Sequence, residues 1–127
     1  MTTHEPHVTH VLVIEDDANT RELVQSALED AGYRVTVAPD GAAALALVWQ
    51  RGPVPDVMVV DVRMPLVDGR TFRRMQQGYP QWRTIPVVLM SSNTDVHATA
   101  HALGIDAVLL KPFTVSELLA TVARYAR

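Results

Sequence analysis

The sequence predicts an α/β fold: a doubly wound, five-stranded parallel sheet with helices on both faces, (βα)5 in chain order. Three observations carry this reading. Five short runs rich in β-branched residues recur along the 127 residues. Longer stretches with helical apolar spacing separate them, the alternation expected of βαβ units. Several of the short runs are apolar on successive positions, the pattern of strands covered on both faces by helices.

The elements follow in order. "HVLVI" (10–14) is the first strand. Leu23, Val24, Ala27, Leu28 and Ala31 then form one apolar stripe, closed by Gly32. "YRVTVA" (33–38) is the second strand, and Asp40 stands where it can cap a helix whose stripe is Ala43, Ala44, Leu47 and Val48. "DVMVVD" (56–61) is the third strand. In "GYPQWRTIP" the two prolines and Gly78 mark a loop leading into the fourth strand, "IPVVLM" (85–90). A short fourth helix carries His97 and His101 at i, i+4, read as solvated positions, and "AVLL" (107–110) is the fifth strand. The last helix opens with Thr114 and Glu117 in capping-box spacing, then places Leu118, Leu119, Val122 and Ala123 on one face. No repeat, low-complexity segment or linker interrupts the pattern. The expected organisation is a flexible tail over 1–7 and one domain over 8–127, with no effector domain in this chain. His4, His7 and His10 read as part of a mobile tail, and Trp49 and Trp82 as packing or loop anchors.

Composition removes several classes of function. A net charge of −3 gives no general attraction to nucleic acid or to an anionic membrane. The absence of cysteine excludes disulfides, thiolate metal sites and thiol catalysis. No apolar run approaches the roughly 20 residues that cross a bilayer, and "MTTHEPH" has no apolar signal core, so a cytoplasmic location is expected.

Ligands of an open parallel sheet bind outside the carboxyl ends of the strands, near the point where strand order reverses. That rule gathers a scattered set of polar residues into one place. Glu15, Asp16 and Asp17 follow the first strand and Asp61 ends the third; Ser91 and Ser92 follow the fourth, and Lys111 with Pro112 follows the fifth. Two carboxylates about 4 Å apart repel by about 4 kcal/mol at an effective dielectric near 20. A divalent cation relieves that repulsion, and an all-oxygen donor set suits a hard ion, Mg²⁺ or Mn²⁺. Lys111 supplies a compact positive charge for a phosphoryl group, and a serine hydroxyl can donate a hydrogen bond to one. The set reads as a place that holds a phosphoryl group beside a carboxylate nucleophile.

The motifs "VIEDD", "VVDVRMPLVDG", "VLMSS" and "LLKPF", with "APDGAAAL" at the second helix, resemble in order and spacing the receiver domain of two-component response regulators. The resemblance covers about residues 8 to 127. It implies a flavodoxin-like fold similar to the chemotaxis receiver, with strand order 2-1-3-4-5. It implies Asp61 as phosphoacceptor, Glu15 and Asp16 as the acidic pair of the metal site, and the backbone carbonyl of Arg63 as a further metal ligand. Val62, Ser91, Ser92 and Lys111 would contact the phosphoryl group, and the peptide bond before Pro112 would be cis. Implied partners are a sensor histidine kinase or a histidine phosphotransfer protein. Output would pass through protein contacts on the face of helix four, strand five and helix five, also a candidate homodimer face. Asp17 is surplus to the pattern and reads as a solvated helix-start residue.

One position departs from the family. Three residues before the lysine, where an aromatic side chain is usual, this chain has Val108, which has little reach and stiff χ1 preferences. Phosphorylation does not depend on it, but coupling of Ser91 to the fourth-helix surface does. The alternative reading is therefore a pseudo-receiver, a binding module that keeps the fold without the switch. An aspartate-based phosphohydrolase would want a second acid two residues after the nucleophile, where Arg63 stands. A flavin site would want a Ser/Thr/Gly-rich phosphate loop after the first strand, where the acids stand. The expected role is a switch that catalyses only its own phosphorylation and dephosphorylation.

Overall fold

Five parallel strands form the centre of the molecule. They are β1 (His10–Ile14), β2 (Arg34–Ala38), β3 (Val57–Asp61), β4 (Val87–Ser91) and β5 (Ala107–Leu110), side by side in the order β2-β1-β3-β4-β5. The structure, a computed structural model, describes residues 7–50, 53–63, 69–105 and 107–126. The helices are α1 (Ala18–Asp30), α2 (Gly41–Trp49), α3 (Gly69–Gln77), α4 (Pro80–Arg83), α5 (Val96–Ala102) and α6 (Val115–Tyr125). Fold class and strand order are those expected from the sequence. No helix among the described residues is long and apolar enough to cross a membrane.

Successive residues of a strand point to opposite faces, and the two faces sort the core into two halves. Leu12, Ile14, Met58, Val60 and Leu89 pack with Leu45, Phe72, Trp82 and Ala100 on one side. Val11, Val13, Val57, Val59, Val88 and Met90 pack with Val24, Leu28, Leu118 and Val122 on the other. Burying each such large side chain contributes about 1.5–3 kcal/mol over leaving it exposed. That is why these strands read as unbroken apolar runs.

The helix starts are set by caps visible in the sequence. Asp40 accepts from Ala43 N at 2.7 Å to begin α2, and Thr114 with Glu117 forms a reciprocal capping box at α6. Each cap contributes about 1 kcal/mol. Gly32 follows α1 at φ 96°, a left-handed conformation that lets the chain turn into β2.

Four expectations need correction. The stretch 78–86 is not all loop: Pro80–Arg83 makes one helical turn, α4, which buries Trp82 in the core, so the two output helices numbered four and five from the sequence are α5 and α6. The α1 stripe is narrower than its spacing suggests, because Leu23 and Ala31 are exposed. Ala123, placed on the apolar face of the last helix, is also exposed. His10 is not part of a tail: it opens β1 buried, while the exposed His7 ring before it meets Asp56 Oδ2 at 3.1 Å. His4, with most of the expected tail, lies outside the described residues, as does the 64–68 part of "VVDVRMPLVDG". Trp49 is exposed and donates its indole N–H to Tyr79 Oη at 2.6 Å, anchoring α2 to the start of α4.

Candidate functional site

The strand order reverses between β1 and β3, the neighbours at the centre of the sheet, which run in register with Ile14 beside Val60. The residue following each register partner is an acid: Glu15 after β1, and Asp61 as the last residue of β3. The topology thus places two carboxylates side by side at the carboxyl edge. Glu15 is fully buried and Asp61 is 5% exposed, while Asp16 beside them is solvent-exposed at the rim of the same cluster. Ligand oxygens of Glu15, Asp16 and Asp61 all lie within 4.8 Å of one another, the only group of three or more potential metal ligands among the described residues. His97 and His101, exposed on α5, belong to no such group.

Lys111 enters from the end of β5. Its Nζ lies 2.9 Å from Glu15 Oε2 and 2.9 Å from Asp61 Oδ2. Its backbone N–H donates to Ser91 O at 2.8 Å, which fixes the β5 end against β4, and the Lys111–Pro112 peptide is cis, as expected. The remaining oxygens are also held. Asp61 Oδ1 accepts from Arg63 N at 2.8 Å, and Glu15 Oε1 from Asp17 N at 3.2 Å. Ser91, buried at the end of β4, accepts from Asn93 N at 3.0 Å through its hydroxyl oxygen, so the hydroxyl proton can turn toward the pocket. Val62 gives its N–H to Met90 O at 2.9 Å, and Ser92 is exposed just beyond β4.

The electrostatics follow from this crowding. Burial first, then the neighbouring Asp61, pushes the Glu15 carboxyl up to about 7, against the pull of Lys111. Burial draws the Lys111 ammonium down, but Asp61 and Glu15 outweigh it and the net shift is upward. One ammonium faces three carboxylates, so the ionised cluster keeps an excess of two negative charges. A divalent cation would balance that excess, and the donors are all hard oxygens. The residues present fit such an ion.

Asp17 lies outside this cluster of ligands. It is the N-cap of α1, accepting from Thr20 N at 2.9 Å and from the Thr20 hydroxyl at 2.6 Å, and the Thr20 hydroxyl is the main reason its carboxyl sits below the usual value. Two further polar residues carry no motif in the sequence. Arg21 reaches back from α1 to donate Nη1 to Glu15 O at 3.0 Å. Gln76, fully buried, donates to Trp82 O at 2.6 Å and Ile85 O at 3.2 Å, which is what stitches α4 to α3. For Arg21 the available signal was its place one helical turn after three consecutive acids; for Gln76 there was none.

Val108 is half-buried against the α5 side of the core. Hollows of about 330 Å³ (His97, Ala100, His101, Gly104, Ile105) and about 430 Å³ (Ala107, Ala120, Thr121, Arg124, Tyr125) open on either side of it. A larger side chain at this position would have had space to occupy.

Comparison with known proteins agrees with the geometry. The response regulator receiver domain profile matches residues 11–123. The transcriptional regulatory protein CseB of Streptomyces coelicolor is 36% identical over 122 residues, 94% of this chain and 50% of that protein. With the probable transcriptional regulator ycf27 of Guillardia theta matched over 45% of its length, the chain spans about half the length of these curated relatives. The chemotaxis response regulator CheY4 of Vibrio cholerae superposes with a TM-score of 0.85 at 31% identity, covering 94% of this chain and 99% of that one. The receiver domain of sensor histidine kinase PA1611 from Pseudomonas aeruginosa, solved with a magnesium ion coordinated in its active-site cleft, gives a TM-score of 0.81 at 25% identity, covering 94% and 98%. A match over nearly the whole chain, on a sheet that brings the acids and the lysine together, makes this chain a member of the response regulator receiver domain family.

Proposed function

We propose that this chain is a phosphorylatable switch whose phosphoacceptor is Asp61, charged by a histidine kinase or a histidine phosphotransfer protein. The observation that carries the reading is the buried Asp61 carboxylate, hydrogen-bonded to Lys111 Nζ and crowded by two further acids at the carboxyl edge of the sheet. In the transfer, the phosphorus–nitrogen bond of a phosphohistidine breaks as a bond forms between phosphorus and an Asp61 carboxylate oxygen, and the departing imidazole takes up a proton. Lys111 neutralises charge on the arriving phosphoryl group, and the Ser91 hydroxyl donates a hydrogen bond to it.

Glu15, Asp16, Asp61 and the backbone carbonyl of Arg63 would hold Mg²⁺, with Mn²⁺ as the alternative ion. When bound, the ion supplies charge neutralisation on the phosphoryl oxygens. The magnesium ion reported for the PA1611 receiver supports this assignment. The switch acts on no separate metabolite: it catalyses only its own phosphoryl gain and loss, in the cytoplasm. Output passes through protein contacts on α5, β5 and α6, a face that also suits a homodimer.

The test is intact mass after incubation with Mg²⁺ and a small-molecule phosphodonor, beside an Asp61→Asn control. The expected result is one phosphoryl adduct, absent with chelator and absent in the control. If neither an adduct nor binding of a stable phosphoryl mimic is seen, the switch reading falls and a phosphorylation-independent binding module takes its place.

A further inference from the structure

The three clustered acids are not held equally. The Glu15 carboxylate is fixed by Lys111 and by Asp17 N, and that of Asp61 by Lys111 and Arg63 N. Asp16 is exposed, and among the described residues no hydrogen bond holds its carboxylate. Its position depends on the backbone that carries it. That backbone is gripped from behind by Arg21: Nη1 donates to Glu15 O at 3.0 Å and, more weakly, to Asp16 O at 3.4 Å. Both carbonyls belong to residues whose side chains enter the cluster. Arg21 itself is half-buried, and no carboxylate among the described residues lies within ion-pair distance of it. Its polar contacts go to the loop.

We propose that Arg21 is a positioning residue for the cation, holding the peptides of Glu15 and Asp16 so that the otherwise untethered Asp16 carboxylate faces the pocket. This rests on the reading of the acids as a divalent-cation site. One guanidinium nitrogen shared between two successive carbonyls ties their peptides together, and the group's plane fixes its N–H directions where those of an ammonium rotate.

The experiment measures phosphoryl uptake from a small-molecule donor as a function of Mg²⁺ concentration, with Mg²⁺ binding alone followed by calorimetry, in the wild-type chain, Arg21→Met and Arg21→Lys. Loss of a group that orients a metal ligand typically weakens metal binding tenfold or more, so the half-saturating Mg²⁺ concentration should rise about tenfold in Arg21→Met and about threefold in Arg21→Lys. The rate at saturating Mg²⁺ should stay within about twofold of wild type, because the phosphoryl contacts are untouched. A general structural defect would instead lower the saturated rate and leave the metal dependence alone, and that result overturns the proposal. So does an unchanged half-saturation in both variants. If Arg21→Met does not fold, Arg21→Lys decides by the same split. A wild-type chain that binds no Mg²⁺ would overturn the cation reading itself, which the wild-type titration reveals before any variant is made.

Discussion

The two ends of the sheet handle buried polar groups in opposite ways. At the amino edge, Asp56 Oδ2 accepts the His10 N–H at 2.8 Å and faces the His7 ring at 3.1 Å, while Asp56 N donates to His10 O at 2.8 Å. The His10 ring meets the Thr36 hydroxyl at 2.7 Å. One acid is shared among close partners, and the arrangement closes β1 against the segment entering β3. At the carboxyl edge three acids cluster around one lysine, which pairs with only two of them, Glu15 and Asp61. At the first edge the acid finds its partners within the chain, and only His10 Nδ1 is left without one among the described residues. The second, when ionised, stays in excess of negative charge, and a crowded, pKa-shifted cluster of that kind is the mark of a candidate functional site. A count of charge against partners, edge by edge, therefore separates structural polar groups from functional ones.

The largest expected effect tests that imbalance directly. Lys111→Met removes the only ammonium from the cluster and should lower phosphoryl uptake about a hundredfold, the scale of losing one charged group at a phosphoryl-transfer centre. It should also cost stability at about pH 8, by about 2 kcal/mol. That is below the usual penalty for orphaning a deeply buried ion, because the Lys111 side chain is 22% exposed. Denaturant titration and the mass assay check the two halves. A variant that takes up phosphate at the wild-type rate would show that the lysine serves only to offset the acids.

The carboxyl edge was legible in the sequence because its chemistry is coded by residue type at strand ends. The runs 10–14, 33–38, 56–61 and 107–110 met their strands to within a residue, 85–90 began two residues ahead of β4 (Val87–Ser91), and the 2-1-3-4-5 order implied by the family pattern then put Glu15 beside Asp61. Caps at Asp40 and Thr114 were readable for the same reason, being local. What escaped was tertiary. Gln76 sits in "RTFRRMQQ", a helix whose composition points to solvent, yet it is fully buried by the carbonyls of Trp82 and Ile85. Two prolines and a glycine around Trp82 read as loop, but Pro80 at the start of a turn favours a helical start, and burial of the indole holds α4 in place. His10 looked like the end of a histidine-bearing tail, whereas pairing with Arg34 in the parallel ladder makes it the first strand residue.

An intermediate effect comes from Glu15. Its folded-state pKa, raised from 4.5 to about 7, means that the folded apo chain holds a proton the unfolded chain releases. The stabilisation is complete below about 4.5 and is lost as pH rises through about 7, a difference of up to about 3 kcal/mol. Thermal midpoints of the apo wild type, compared with Glu15→Gln, should therefore diverge downward between about pH 5 and about pH 8. Cation binding must displace the same proton. Mg²⁺ affinity should fall about tenfold for each pH unit below about 7, and be nearly flat above it. Equal affinity at acidic and alkaline pH would mean that Glu15 is ionised throughout and that its crowding by Asp61 is relieved without a cation.

The smallest effect belongs to the amino edge and has the opposite sign. Burial, then the charge of Arg34, holds His10 below its ordinary value of 6.5, with Asp56 and the Val54 backbone pulling the other way. Its Nδ1 is buried with no hydrogen-bond partner among the described residues, so a second ring proton gains too little from Asp56 and the Val54 backbone to offset burial. A base with a depressed folded-state pKa contributes stability that is present above 6.5 and lost as pH falls through its folded value. His10→Gln should cost about 1 kcal/mol at about pH 8 through the lost contact with Thr36. It should also flatten the decline of stability on the acid side of neutrality, and leave phosphoryl uptake and its Mg²⁺ dependence as in the wild type. If His10→Gln shifted the Mg²⁺ dependence, the two edges would be coupled through β1, and the division of the sheet into a closed end and an open end would fail.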